Sequence, residues 1–420
     1  MTEVVHPFGS HIAQFTREND VCLLNTHSLR TLFVDARWLA DRSHTPPGDF
    51  LNLPPLRAPK PELQVFQVAV TLACNLRCSY CVVHNNVWSD ATHTMSREAA
   101  GDLAREANAV LPPGGLLYVT GGEPLLNWSA AATLLAETRD DLLKVIVTNA
   151  TLVKPEIASF LAATNTCVLV SMDGDQHAHD SVRRDGRGRG SYDATRRGYG
   201  VLRDAGCSVG VSLVIGPHNV DRLSDVAVHL LETLHPDSLG LGLPHFTSRH
   251  ARSIDKHRVA AEYGRLYDWV LTRPTFVDQI ARRLSPFVNE TFRFRDCSAC
   301  GSKVVVFPDG SRSNCISSGP DHLGGAADRW LGRTPLELAE CQGCAAIGVC
   351  GGGCVFDGLA LYGGVDQRNC AVTRVLLERF IWTLRDATTD PQPGTAVKSA
   401  VFNRLLERRS RVAVSVGHSQ

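Results

Sequence analysis

Between residues 66 and 245 the chain alternates short, almost continuously apolar runs with longer stretches whose apolar positions recur at helical spacing. The apolar runs cover 66–72, 116–120, 144–148, 168–171, 208–215 and 238–243. Helical spacing fills the intervals at 96–110, 128–138, 154–163, 192–204 and 220–234. Strands apolar on both faces belong to parallel sheets covered by helices. The pattern predicts an α/β fold in which residues 65–250 form a partial (β/α)6 barrel. In such a barrel functional groups sit at the C-terminal ends of the strands.

The flanking segments read differently. Within residues 1–64, 21–24 and 31–34 predict two strands around a polar turn, followed by a short helix near 38–40 and a Pro-rich linker over 46–61. This gives a small N-terminal α+β unit. Residues 251–295 predict a helical bridge. Residues 296–385 are rich in Cys and Gly, with little periodicity before a helix at 372–385. Such a segment is expected to fold around metal rather than an apolar core of its own. Residues 386–420 read as a polar tail.

Lys plus Arg and Asp plus Glu each number 43, so no net field favours nucleic acid or an anionic membrane. The local basic stretches 183–189 and 404–411 read as solvated faces. Neither a signal-peptide pattern nor a membrane-length apolar window is present, and a cytoplasmic location is expected. In that compartment 14 cysteines argue for metal or catalytic sites rather than a disulfide framework.

Cys74, Cys78 and Cys81 form a C-x3-C-x2-C group just after the first apolar run. A [4Fe–4S] cluster takes four ligands, so three thiolates leave one iron open, as catalytic metal sites keep a position open. A zinc site completed by His84, and unconnected thiols, are the competing readings. Further motifs follow at successive strand ends: Thr120, Gly121, Gly122, Glu123 and Pro124 after the second, Asn149 after the third, and Ser171, Asp173 and Gly174 after the fourth. His179, Asp180, Arg183 and the group Gly190, Ser191, Tyr192, Asp193 come next.

Together these residues resemble the radical S-adenosylmethionine (SAM) superfamily. The resemblance implies a SAM-binding [4Fe–4S] cluster on Cys74, Cys78 and Cys81, with Tyr80 near the adenine. It gives Gly121 and Gly122 the role of permitting close backbone approach, and Glu123 that of accepting hydrogen bonds from the SAM ammonium. Asn149, Ser171, Asp173 and Arg183 would complete the cofactor pocket, Ser171 and Arg183 toward the carboxylate or ribose. The implied chemistry is reductive cleavage of SAM to a 5′-deoxyadenosyl radical that abstracts hydrogen from an unactivated C–H bond. The protein then positions substrate and excludes solvent.

A second array contains Cys297, Cys300, Cys315, Cys341, Cys344, Cys350, Cys354 and Cys370. A zinc ribbon is the simplest chemistry for part of it, but the thiolates outnumber the needs of one tetrahedral zinc, and two iron–sulfur clusters use them better. The spacing resembles the SPASM domain found at the C-terminus of radical SAM enzymes that modify peptides and proteins. By that resemblance Cys300, Cys315 and Cys354 hold a nearer auxiliary cluster, with Cys297 as candidate fourth ligand. Cys341, Cys344, Cys350 and Cys370 hold an outer one, for three clusters in all. Cys22, Cys167 and Cys207 remain as buried core thiols.

The two resemblances imply a radical SAM oxidoreductase acting on a ribosomally made precursor peptide, with a ferredoxin or flavodoxin-type electron donor. The leading expectation is an oxidative crosslink, a cyclophane or other carbon–carbon or carbon–oxygen link. Thioether formation, epimerisation, decarboxylation and the formylglycine chemistry of anaerobic sulfatase maturases are the alternatives. Ile316 disfavours the last, because those enzymes carry an acidic base directly after the cysteine matching Cys315. Asp357 and His84 are candidate substrate bases, and both also read as ordinary loop residues. Residues 1–64 resemble leaders on several such maturases, or form a structural cap on the barrel. A metal-stabilised binding module without catalysis is the reading from a different class.

Overall fold

The N-terminal unit is a three-stranded antiparallel sheet, β1 (Ile12–Arg17), β2 (Asp20–Asn25) and β3 (Thr31–Asp35), in that order. In the computed structural model the described residues are 8–41, 43–85, 93–248, 250–318, 330 and 333–406. β1 is one strand more than the sequence predicts. It is an edge strand with Ile12 as its one fully buried residue, so it lacks the apolar run that marks β2 and β3. Asp35 caps the short helix Ala36–Ala40 through the Trp38 amide.

Six strands follow as predicted: β4 (Val65–Ala69), β5 (Leu116–Thr120), β6 (Leu143–Thr148), β7 (Cys167–Ser171), β8 (Val209–Val214) and β9 (Ser238–Gly242). Each pairs in parallel with the next. The crossovers carry α1 (Arg97–Val110), α2 (Trp128–Glu137), α3 (Pro155–Ala163), α4 (Gln176–Val182), α5 (Tyr192–Asp204) and α6 (Leu223–Leu234). α4 escapes apolar periodicity because five of its seven residues, Gln176, His177, His179, Asp180 and Ser181, are polar. Phe66, Val68, Leu117, Val119, Ile146 and Val168 are fully buried under the helices. At roughly 1.5–3 kcal/mol for each large side chain taken from water, that layer is the main source of the fold's stability.

Two features extend the sequence-based expectation. The sheet has eight strands, because β10 (Lys303–Val306) joins β4 in parallel and β11 (Arg312–Ser313) pairs with β10. The Cys-rich segment therefore contributes to the barrel sheet as well as folding beside it. Beyond β9 run α7 (Lys256–Thr272), α8 (Asp278–Val288), α9 (Val355–Tyr362), α10 (Gln367–Ala387) and, within residues 386–420 that were expected as a polar tail, α11 (Thr395–Leu405). Val401, Phe402 and Leu405 of α11 are buried in the main core beside Phe380. Apolar residues at 397, 401 and 405 share one face, but Lys398, Ser399 and Asn403 between them disguise it. No helix among the described residues is long and apolar enough to cross a membrane.

Candidate active site

The loop after β4 carries Cys74, Cys78 and Cys81, and backbone hydrogen bonds fix its path. Arg77 N–H donates to Arg184 O at 2.6 Å and Ser79 N–H to Val182 O at 3.0 Å. From the other side, Gly122 N–H donates to Thr71 O and Glu123 N–H to Ala73 O. A Cβ on Gly121 or Gly122 would stand 2.2 Å from Thr71 O or Ala73 O, and Gly121 has φ +148°. The backbone that these glycines let approach is the cysteine loop itself.

The three cysteines line a cavity of about 330 Å3 with Gly121, Gly122, Glu123, Asn149, Ser171, Arg183 and Tyr80. The sequence-predicted cofactor residues are thus gathered at one end of the barrel, apart from Asp173, which lies just behind Tyr80 and Arg183. Burial pushes the Cys74 thiol up to about 12 and Cys78 to about 11, with the neighbouring thiols adding to both. Such groups become thiolates when a cationic centre takes their protons' place.

Glu123 lines the cavity and is also bonded within the protein. Its carboxylate accepts hydrogen bonds from Leu125 N–H (3.0 Å), Thr148 Oγ1 (2.7 Å) and Asn149 N–H (2.8 Å). Burial raises its pKa to about 7 against the pull of those donors. It therefore ties the end of β5 to the end of β6. Asn149 in turn donates to Asn75 Oδ1 at 2.9 Å, next to Cys74.

Asp173 is the hub of a second network. It accepts from Arg183 Nε at 2.8 Å, from Val214 N–H at 2.8 Å and from the Tyr80 hydroxyl. Burial alone would raise this carboxyl, but Arg183 and His218 hold it below its usual range. Arg183 lies over the Tyr80 ring at 5.3 Å and points Nη1 toward Cys78 Sγ at 3.9 Å. Asp173 thus orients the two groups that face the cavity rather than facing it.

The later cysteines fall into two groups of four. Cys354 feels the charges of Cys297 and Cys315, and Cys300 feels that of Cys297. Cys341 feels Cys350 and Cys344, and Cys370 feels all three. A hydrogen bond from Cys370 lowers Cys350 and raises Cys370 correspondingly. Arg374 Nη2 donates to Cys344 Sγ at 3.3 Å. Among the described residues, the set of three His, Cys, Asp or Glu groups with ligand atoms all within 4.8 Å of one another is His245, Cys354 and Asp357. Among the described residues no three cysteines stand that close together.

Of the two candidate bases, Asp357 is the one whose side chain is described. The His84 side chain lies outside the described residues; its backbone belongs to the short helix Val82–Asn85. Asp357 is buried, and accepts from Phe246 N–H at 2.9 Å and from Arg368 Nη2 at 3.2 Å. Burial would raise Asp357, but hydrogen bonding with His245, the Phe246 amide and Arg368 hold it below its usual range. The cavity instead meets His245, whose Nδ1 is 3.0 Å from Asp357 Oδ2. Sequence reasoning missed His245, although the strand-end rule pointed to it, three residues beyond β9.

Residues 68–231 match the family model for the radical SAM superfamily. This chain carries a radical SAM domain. The radical SAM cyclopropyl synthase TigE of Paramaledivibacter caminithermalis is 22% identical over 76% of this chain and 74% of its own length. The AdoMet-dependent heme synthase of Nitratidesulfovibrio vulgaris is 27% identical over 65% of this chain and 72% of its own. The serine-type anaerobic sulfatase-maturating enzyme of Klebsiella aerogenes is 26% identical over 71% of this chain and 80% of its own. Among solved structures, anSMEcpe with bound AdoMet and the Cp18Cys peptide superposes with a TM-score of 0.62 at 17% identity, covering 78% of this chain and 99% of that one. The radical SAM fold is therefore shared, and the chain is an enzyme of the radical SAM type, which brings SAM and a [4Fe–4S] cluster as its cofactors.

Proposed function

We propose that this chain is a radical SAM/SPASM enzyme that oxidatively modifies a ribosomally made precursor peptide, joining two of its side-chain positions. Cys74, Cys78 and Cys81 would hold the SAM-binding cluster, Cys297, Cys300, Cys315 and Cys354 a nearer auxiliary cluster, and Cys341, Cys344, Cys350 and Cys370 an outer one. When bound, these groups supply SAM cleavage to a hydrogen-abstracting radical and an acceptor for a second electron. The observation that carries the reading is that Ser298 and Ile316, next to Cys297 and Cys315, border the barrel interior beneath the SAM cavity. A substrate there lies between the two redox sites.

The protein's own residues do the rest. Joining two positions removes two hydrogens, one as an atom and one as a proton with its electron passed on. His245 is set to take the proton: Nδ1–H donates to Asp357, which leaves Nε2 as the acceptor. Ile316 supplies no acid at the position where sulfatase maturases carry one. The peptide bound in a solved structure of the same fold supports a peptide substrate.

The test is anaerobic incubation with SAM, a reductant and the short peptide encoded beside this gene, read by mass spectrometry. The proposal expects 5′-deoxyadenosine and a product lighter by two hydrogens, without aldehyde reactivity. An unchanged mass with solvent deuterium incorporated, or a formylglycine aldehyde, would overturn the crosslink reading.

A further inference from the structure

Below the SAM cavity the barrel encloses a second chamber of about 450 Å3, and the two share Thr120, Val147 and Gly242 as lining residues. Val65, Leu116, Val145 and Leu169 give the chamber an aliphatic face. Roughly 300–1,000 Å3 is the range of cavities that enclose a small ligand, so a single large side chain with part of its backbone fits.

The polar groups in this wall are under-used. Gln67 is 5% exposed, and its amide has no hydrogen-bond partner among the described residues. The Tyr118 hydroxyl, paired in register beside Gln67, likewise has none, although it feels the charge of Asp278. Asp278 is 8% exposed and receives one side-chain hydrogen bond, from Gln279 Nε2 at 3.0 Å. These groups line the chamber and are not sealed from solvent, so water can pair with them and a ligand entering the chamber can take the water's place. Lys303 lines the same chamber as Asp278. A cationic ligand group would meet the ammonium and an anionic one the carboxylate, so neither charge is favoured.

We propose that this chamber selects the residue to be modified, and that it takes a large, uncharged side chain ending in an N–H or O–H donor, of the tyrosine or tryptophan class. The inference rests on the peptide-modifying reading and names the side chain that reading leaves open. Asp278 and Gln67 accept the terminal donor, Tyr118 supplies a further partner, and the aliphatic wall packs the ring. β9 makes the room: Ser238, Gly240 and Gly242 line the chamber, and a Cβ on Gly240 would find its nearest atom 3.8 Å away, at Val211 O.

The test uses side-chain fragments on the reconstituted holoenzyme with SAM bound. Calorimetry compares p-cresol and 3-methylindole with toluene, benzylamine and 4-methylbenzoate. The two neutral donors are expected to bind about tenfold more tightly than the other three, the scale of a hydrogen bond to a charged acceptor. Asp278→Asn and Gln67→Leu should each erase most of that preference. Gly240→Leu, with its side chain filling the chamber, should abolish fragment binding while circular dichroism reports an unchanged fold. Equal binding of toluene and p-cresol, or full binding in Gly240→Leu, would overturn the assignment. That failure is separable from failure of the peptide reading, which the mass of the peptide product reports.

Discussion

At the scale of single residues, the site depends on carboxylates whose roles follow from what surrounds them. Glu123 is held at about 7 by burial, above its value in an unfolded chain. Its folded form therefore binds a proton that the unfolded form releases between about pH 4.5 and 7. Stability should be greatest below that window and fall through it by on the order of 3 kcal/mol, then level off. Denaturant titrations of the holoenzyme across pH 5–8 check this, and Glu123→Gln should flatten the slope. Asp357 and His245 make a different pair. Asp357→Asn should retain SAM cleavage in the absence of peptide but lower product formation about 10²–10⁴-fold, the scale of general-base assistance. His245→Gln should do the same, and loss of SAM cleavage in either variant would assign them to cofactor binding instead. The cavity residues that were legible in the sequence are those whose type is fixed by chemistry just after a strand, Cys74, Cys78, Cys81, Gly121 and Gly122 among them. His245 and the partners of Glu123 were hidden because a hydrogen bond between distant segments leaves no local spacing.

At the scale of elements, β4 to β9 and their helices were legible because a two-sided apolar strand has few other uses. β1, α4 and α11 were not, since each is amphipathic by too few residues. α11 shows that weak sequence signal does not mean weak coupling. Phe402 meets Phe380 edge to face with centroids 6.0 Å apart, and Lys398 spans to Leu29 O and Glu290 at 2.8 Å each. Phe402→Ala should cost about 3–5 kcal/mol in chemical denaturation. A change below about 1 kcal/mol would show that α11 frays from the core.

At the scale of the whole molecule, the two cysteine tetrads are mechanically joined. Asp296, beside Cys297, donates its N–H to Gly351 O, beside Cys350. Its carboxylate meets Arg283 at 2.9 Å, Arg293 at 3.6 Å and Arg282 at 3.7 Å. Burial would raise Asp296, but these three guanidinium groups hold it at about 2. Asp296→Asn should cost about 3–5 kcal/mol, because it leaves buried cations without their partner. The β10–β11 hairpin ties the same region to the barrel sheet. Sequence spacing could suggest the ligand sets but neither the bond from Asp296 to Gly351 nor the pairing of β10 with β4, Lys303 opposite Val65.

The most direct measurement is iron and acid-labile sulfide counting on anaerobically reconstituted protein, for the wild type, Cys78→Ala and a Cys341→Ala/Cys344→Ala double variant. Three [4Fe–4S] clusters predict about 12 irons and as many sulfides per chain, falling by about four in each variant. Bound zinc with no labile sulfide, or an iron count near four that the double variant leaves unchanged, would contradict the account.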